Sequence, residues 1–226
     1  MKKHHFLIVF ALLLPLFSAC TGQHAPSGGG QGEATVSTTD IAVEREFTQI
    51  NNLSNLDIYW SEGAYSIRFE GNKMLLNDYD ICIDDAGLTI NELHEISPEL
   101  KARLYVSTPT LTIVSNYNSG TIYLTGTLHS DDLVIGNMVN GSIEADTLVC
   151  KKLKYTASDV AKARFGLIRG DEAALIADGS GTTDATLDVH HLILTAWGTQ
   201  TVTLNGHADT KDIQCSRTNM VNDLMK

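Results

Sequence analysis

The chain has 226 residues, with 16 basic against 27 acidic side chains and a formal charge of −11. Phosphate recognition rests on clustered Lys and Arg, so this balance excludes nucleic acid and anionic headgroups as main partners. The acidity argues for solubility rather than for any fold.

The chain opens with Met1, Lys2 and Lys3, followed by an apolar run over residues 6–17 and then Ser18-Ala19-Cys20. A positive start, a short apolar core and small residues before a cut site define a secretory signal. Twelve apolar residues fall well short of the ~20 that cross a bilayer as a helix. Ser18-Ala19-Cys20 resembles the lipobox of bacterial lipoproteins, with Phe17 where Leu or Val is commoner. That resemblance implies removal of residues 1–19 and acylation of Cys20. Loss of Lys2 and Lys3 would leave 14 bases against 27 acids, a charge of −13. Residues 20–39 are Gly- and Ser-rich without apolar pattern, and they read as a lipid anchor followed by a flexible tether. Several acyl chains provide the multiple hydrophobic signals that stable anchoring needs. Cys82, Cys150 and Cys215 would remain. An odd count without a close pair gives no disulfide framework, and all three read as small core residues.

The folded part is read from residue 40, and from Phe47 onward the pattern is strand, turn, strand. Leu56-Asp57-Ile58-Tyr59-Trp60, the run over residues 65–69 and Leu88-Thr89-Ile90 alternate with Gly, Asn and Asp clusters. Residues 97–102, with Ser97 as cap and Pro98 at the first helical position, predict one helical turn. Residues 40–110 suit either early coils or a separate sheet. Beyond them the sequence repeats. Apolar units start at Leu111, Leu133, Leu153, Ala174, Leu192 and Ile213, spaced 22, 20, 21, 18 and 21 residues apart. A fixed period of this length marks a solenoid. About twenty residues supply three short strands and three turns, one coil of a parallel β-helix, with coils stacked ~4.8 Å apart. Alternation puts Leu133, Ile135, Leu192, Leu194, Ile213 and Cys215 inward and Val134 and Ile193 outward. The unit from Leu153 to Asp171 has Ala157, Ala161 and Ala163 around Phe165, predicting a narrower or distorted coil. The polar residues 216–226 are a candidate cap over the last coil.

Chemistry is sparse. A glycosidase needs two carboxylates across a cleft, and the candidates are Asp131, Asp132, Asp146, Asp171, Glu172, Asp184 and Asp188. Most sit at turns, where Asp serves its own backbone. His190 and His191 are neighbours on a strand, so they should face opposite sides and not share a metal. His94, His129 and His207 lack companions at ligand spacing. There is no Walker loop, G-x-S-x-G elbow or H-E-x-x-H helix, so neither cofactor nor metal is expected. Trp60, Tyr65, Tyr117, Tyr123 and Trp197 are possible partner anchors, with Tyr117, Tyr123 and above all Trp197 at turns or beside them.

Several segments carry a resemblance. Arg45-Glu46-Phe47-Thr48-Gln49-Ile50 opens it; Ser66-Ile67-Arg68-Phe69-Glu70-Gly71, Leu88-Thr89-Ile90 and Leu104-Tyr105-Val106-Ser107-Thr108-Pro109-Thr110-Leu111 continue it; S-G-x-I turns such as Ser119-Gly120-Thr121-Ile122 close it. Over residues 43–215 the chain resembles the autotransporter-adhesin head domain, or GIN domain, abundant in lipoproteins of Bacteroides-like bacteria. The resemblance implies an all-β, right-handed, single-stranded parallel β-helix and a role in adhesion. The resulting expectation is a non-enzymatic lipoprotein of the outer membrane or cell surface, held through Cys20, binding a host or bacterial protein or glycan through a coil face. A structural or assembly component, including a homo-oligomer, is the alternative; a carbohydrate-active enzyme ranks below both.

Overall fold

The computed structural model describes residues 36–97, 100, 102–216 and 221–226, which lie in one compact unit spanning Ala34–Lys226. Cys20 and most of the expected tether lie outside the described residues. Five strands carry the repeat: β9 (Thr121–Asn137), β10 (Ser142–Ala157), β11 (Lys162–Ala177), β12 (Thr182–Ala196) and β13 (Thr201–Cys215). They stack in parallel with Thr121, Ser142, Lys162, Thr182 and Thr201 in register, a repeat of 21, 20, 20 and 19 residues. The architecture is a β-solenoid of about 20-residue coils.

Alternation of apolar residues explains each coil. In β10 the buried side chains are Ile143, Ala145, Leu148, Cys150, Leu153, Tyr155 and Ala157. The step of two breaks after Ala145 and again after Cys150. Each break is a corner where the chain turns while its ladder to the next coil continues, so three short sides form one long strand. The third corner is a hydrogen-bonded turn, as at 138–141, where Gly141 N–H donates to Met138 O at 3.1 Å. Leu133, Ile135, Leu192 and Leu194 point inward and Val134 is 41% exposed, as the alternation requires.

Three unit starts differ from the sequence reading, the first being Leu111, one residue early because Ile113 pairs with Val134. Leu133, Leu153, Ala173, Leu192 and Lys211 are in register, so Ala174 and Ile213 are one and two residues late. The coil around Ala157, Ala161 and Ala163 pairs with both neighbours along its length, with a register shift against the next coil between Phe165 and Ile168. Tyr155 and Phe165, both buried, pack edge-to-face at 5.0 Å and fill the volume that the alanines leave. Ile213 is 36% exposed and Cys215 half-buried, against the expectation of core, because no full coil covers β13. The following β14 (Val221–Asp223) covers only Val202, Thr203 and Leu204.

The N-terminal region is part of the same sheet. Strands β2 (Gln49–Leu53) and β3 (Asp57–Glu62) form a coil beneath β8 (Ile113–Asn116) and the start of β9. On their other side lie β6 (Gly87–Glu92) and β7 (Arg103–Thr108), parallel to β2 and β3 but later in the chain. This end is closed by antiparallel strands: β4 (Ser66–Asn72) on β7, β1 (Val36–Ile41) on β4, and β5 (Tyr79–Asp84) on β6. Strand begins at Val36, inside the span 20–39 expected as tether; Val36-Ser37-Thr38-Thr39 has the β-branched content that suits an edge. Of the predicted helical turn, Leu100 N–H donates to Ser97 O at 2.9 Å, while Pro98, Glu99 and Lys101 lie outside the described residues.

Buried asparagines line the turn side of the early coils. Asn52, Asn116 and Asn137 occupy one inward row, and their amides donate to Leu56 O (3.1 Å), Gly120 O (2.7 Å) and Lys162 O (2.7 Å). These amides tie the turn carbonyls to the inward row, and Gly120 O accepts from Ser142 N–H as well, at 3.2 Å. Later coils place Ala157, Ala177 and Ala196 in the same row.

Candidate binding face

Ile58 and Trp60 point inward from β3, Leu104 and Val106 from β7, and Ile122 and Leu124 from β9. The residues between them, Tyr59, Tyr105 and Tyr123, must therefore point outward. Strand register aligns all three. Tyr59 stacks on Tyr123 with centroids 4.5 Å apart and planes 11° from parallel, and on Tyr105 at 5.3 Å and 25°. The Arg68 guanidinium lies 4.9 Å over the far face of the Tyr105 ring. The ring faces between the three strands are thus taken up within the ladder, and the Tyr105 hydroxyl donates to Glu70 at 3.5 Å.

The surroundings are small and polar. Ser66, Ser107, Ser61 and Thr125 run along one flank in register, with a Ser66–Ser107 hydroxyl hydrogen bond at 2.9 Å. On the other flank Arg103 bonds Glu70 at 3.0 Å. Partial desolvation, and then the neighbouring Tyr123, push the Tyr59 phenol above its ordinary pKa. Beyond Tyr123 the row continues through Glu144, Arg164 and Asp184.

Sequence reasoning found Tyr123 but missed Tyr59 and Tyr105. Their signal was present: each is the middle residue of an apolar triplet, Ile58-Tyr59-Trp60 and Leu104-Tyr105-Val106. The other anchors scatter. Tyr117 is 42% and Trp197 47% exposed. Both occupy the same turn position, bonding Asn52 O and Ala177 O, but four coils apart, roughly 19 Å at sheet spacing. Trp60 is buried, its indole N–H donating to Thr108 Oγ1 at 2.9 Å. Tyr65 packs on Phe47 at 5.7 Å.

The carboxylates gather at the middle side of the coils. Ser130, Cys150, Gly170, Val189 and Ala208 lie in register as a floor. One bordering row is Asp131, Lys151, Asp171, His190 and Asp209; the other is His129, Val149, Arg169, Asp188 and His207. Together they form a groove. Its charges are paired: Lys151–Asp131 at 3.0 Å, Arg169–Asp188 at 2.8 Å, and His190–Asp209 at 2.7 Å with Asp171 at 4.0 Å. Asp209 also accepts from His207 at 3.0 Å. The hydrogen bond to Asp209 raises the His190 pKa, and those to Lys226 O and Asp209 raise that of His207.

Asp146 instead accepts from Gly126 N–H at 2.8 Å, and Asp184 continues the tyrosine row. Asp132 aligns with Lys152 and Glu172 in a parallel row. His190 and His191 diverge as expected, but neither faces inward, because the corner between Val189 and Leu192 places both outside. His191 meets Asp212 at 3.1 Å and Glu172 at 3.7 Å. Among the described residues no group of three or more His, Cys, Asp or Glu is arranged to hold a metal ion. No helix among them is long and apolar enough to cross a membrane.

A family profile described as "Putative auto-transporter adhesin, head GIN domain" matches residues 46–166. The chain belongs to this family. The matched span contains Tyr59, Tyr105 and Tyr123 of the GIN domain and the first part of the groove. Solved structures agree in fold. An adhesin-titled protein from Bacteroides fragilis superposes with a TM-score of 0.63 at 15% identity, covering 85% of this chain and 96% of its own. One from Parabacteroides distasonis gives 0.55 at 13%, covering 83% and 96%. A second protein from that species, titled a lipid binding protein, gives 0.50 at 12%, with the same coverage. No curated protein matches the chain.

Proposed function

We propose that this GIN-domain protein is an envelope or cell-surface lipoprotein, held through acylated Cys20, that binds a protein or glycan partner without catalysis. The observation carrying this reading is the outward ladder of Tyr59, Tyr105 and Tyr123 among Ser61, Ser66, Ser107 and Thr125. Tyr and Ser together are what binding surfaces favour: rigid amphipathic area at low entropy cost, beside adaptable hydrogen bonding. The stacking fixes the rings before a partner arrives, so little ordering entropy remains to oppose binding. The adhesin description of the family supports an envelope location and a binding role.

Three measurements test this. Tyr59, Tyr105 and Tyr123 changed together to Ser should weaken capture of surface proteins and glycans by about tenfold or more, at unchanged circular dichroism. Equal capture by both forms would sink the tyrosine face. Cys20→Ala should move the protein from membrane to soluble fractions, and full protection from protease on intact cells would exclude a surface location.

A further inference from the structure

The groove beside the middle corner is a second site, independent of the tyrosine face. Two adjoining open depressions of about 520 and 300 Å3 share Arg169, Gly170 and Asp171, so they form one shallow, open channel reaching from Thr110 to Asp209. Its lining comes from successive coils at one position each, and it therefore runs along the stacking direction. At its centre Gly170 has no side chain, and none fits: a Cβ there would lie 1.6 Å from Cys150 O. The packing of the coils keeps the floor low at that point.

We infer that this channel binds an uncharged, linear polysaccharide chain. Its length exceeds one sugar and calls for a polymer or oligomer. Along one wall acceptor and donor alternate from coil to coil: Asp131, Lys151, Asp171, His190, Asp209. Lys151 and Arg169 stand among Asp131, Asp171, Asp188 and Asp209, with His190 and His207 on Asp209, so the signs are interspersed and leave no single-sign stripe for a polyanion or polycation to follow. A neutral polyol suits the alternation instead. Each hydroxyl both donates and accepts, so neighbouring hydroxyls can bridge a carboxylate and the adjacent cation. Ion pairing between coils holds those side chains in place beforehand. An extended peptide fits less well, because the floor backbone is consumed by the ladders between coils and offers no strand edge.

The test uses the full mature protein and calorimetry with linear neutral oligosaccharides of glucose, mannose and galactose, beside oligogalacturonate and oligolysine. At least one neutral oligosaccharide should bind, with affinity little changed by high salt. Arg169→Ala and Lys151→Ala, both at well-exposed side chains, should each weaken it by about tenfold while leaving the thermal midpoint in place. The triple tyrosine variant should bind it normally, which separates this site from the proposed face. Binding of none of the neutral chains, preferred and salt-sensitive binding of a charged one, or wild-type affinity in both wall variants would each overturn the inference.

Discussion

At the same stacked position of four consecutive turns the backbone is left-handed: Val139 at φ 59°, Asp159 at 58°, Gly179 at 112° and Gly198 at 70°. Gly accepts this at no steric cost and Asp tolerates it, but a β-branched side chain does not. Left-handed backbone costs an L-residue about 1–2 kcal/mol, and Val139, 48% exposed, recovers little by burial. Val139→Gly should therefore stabilise the fold by about 0.5–1 kcal/mol after the entropy cost of Gly, raising the melting midpoint by about 1–4 °C. An unchanged or lower midpoint in a calorimetric scan would refute the strain. Cys150 illustrates the opposite case, a residue content where it is. Burial, helped by Asp132, pushes its thiol up to about 11. Native protein at pH 8 should then alkylate at Cys150 far more slowly than unfolded protein, as peptide mass spectrometry would show. The unfolded thiol ionises first as pH rises, so native stability from this group holds below the ordinary thiol range and is lost towards pH 11. Rapid native labelling of Cys150 would contradict its burial.

Differences in coil length all fall at one corner. From inward residue to inward residue the step there is four from Leu124 to Leu128, three from Ala145 to Leu148, three from Phe165 to Ile168 and two from Ala185 to Leu187. Elsewhere the inward steps match between coils. Gly126, at φ 78° with no atom within 4 Å of a Cβ, is the extra residue of the longest coil. Deleting it should convert that coil to the length of the next one, losing one exposed hydrogen bond to Asp146 and about 1 kcal/mol. Deleting Val134 instead slips a side by one residue and turns Ile135 outward, which should abolish a cooperative melt. Equal outcomes for both deletions would refute a single permissive corner. This variable corner also explains what the sequence could convey. Alternation within a side is local, so Leu133, Ile135, Leu192 and Leu194 were readable as core. Register between coils is not local, and motif counting drifted by one and two residues at Ala174 and Ile213. Tyr59 meets partners 46 and 64 residues away, across a coil stacked out of chain order, and no periodic pattern signals that.

Among the described residues the two ends of the coil stack are covered differently. Antiparallel strands β1, β4 and β5 cover the first. At the other, β14 covers one side of the last coil, leaving Ile213 36% exposed. Lys211 occupies the inward row of Leu133, Leu153, Ala173 and Leu192, and its ammonium reaches Asp223 of β14 at 2.8 Å. A charge at an inward position makes the end surface a poor seat for another coil, which is how exposed sheet edges avoid pairing. The ion pair is about one-third exposed on each side and so contributes only ~0–1 kcal/mol to stability. Its effect should lie in assembly rather than folding. Lys211→Leu should melt within about 1 kcal/mol of the parent chain, yet show a concentration-dependent rise in mass by light scattering, while Lys211→Arg keeps the parent's mass. The leucine would extend the apolar row to the surface beside Ile213 and unpaired backbone, whereas arginine retains the charge and its reach to Asp223. If the leucine variant kept the parent's mass at every concentration, the end would be closed by something other than this lysine.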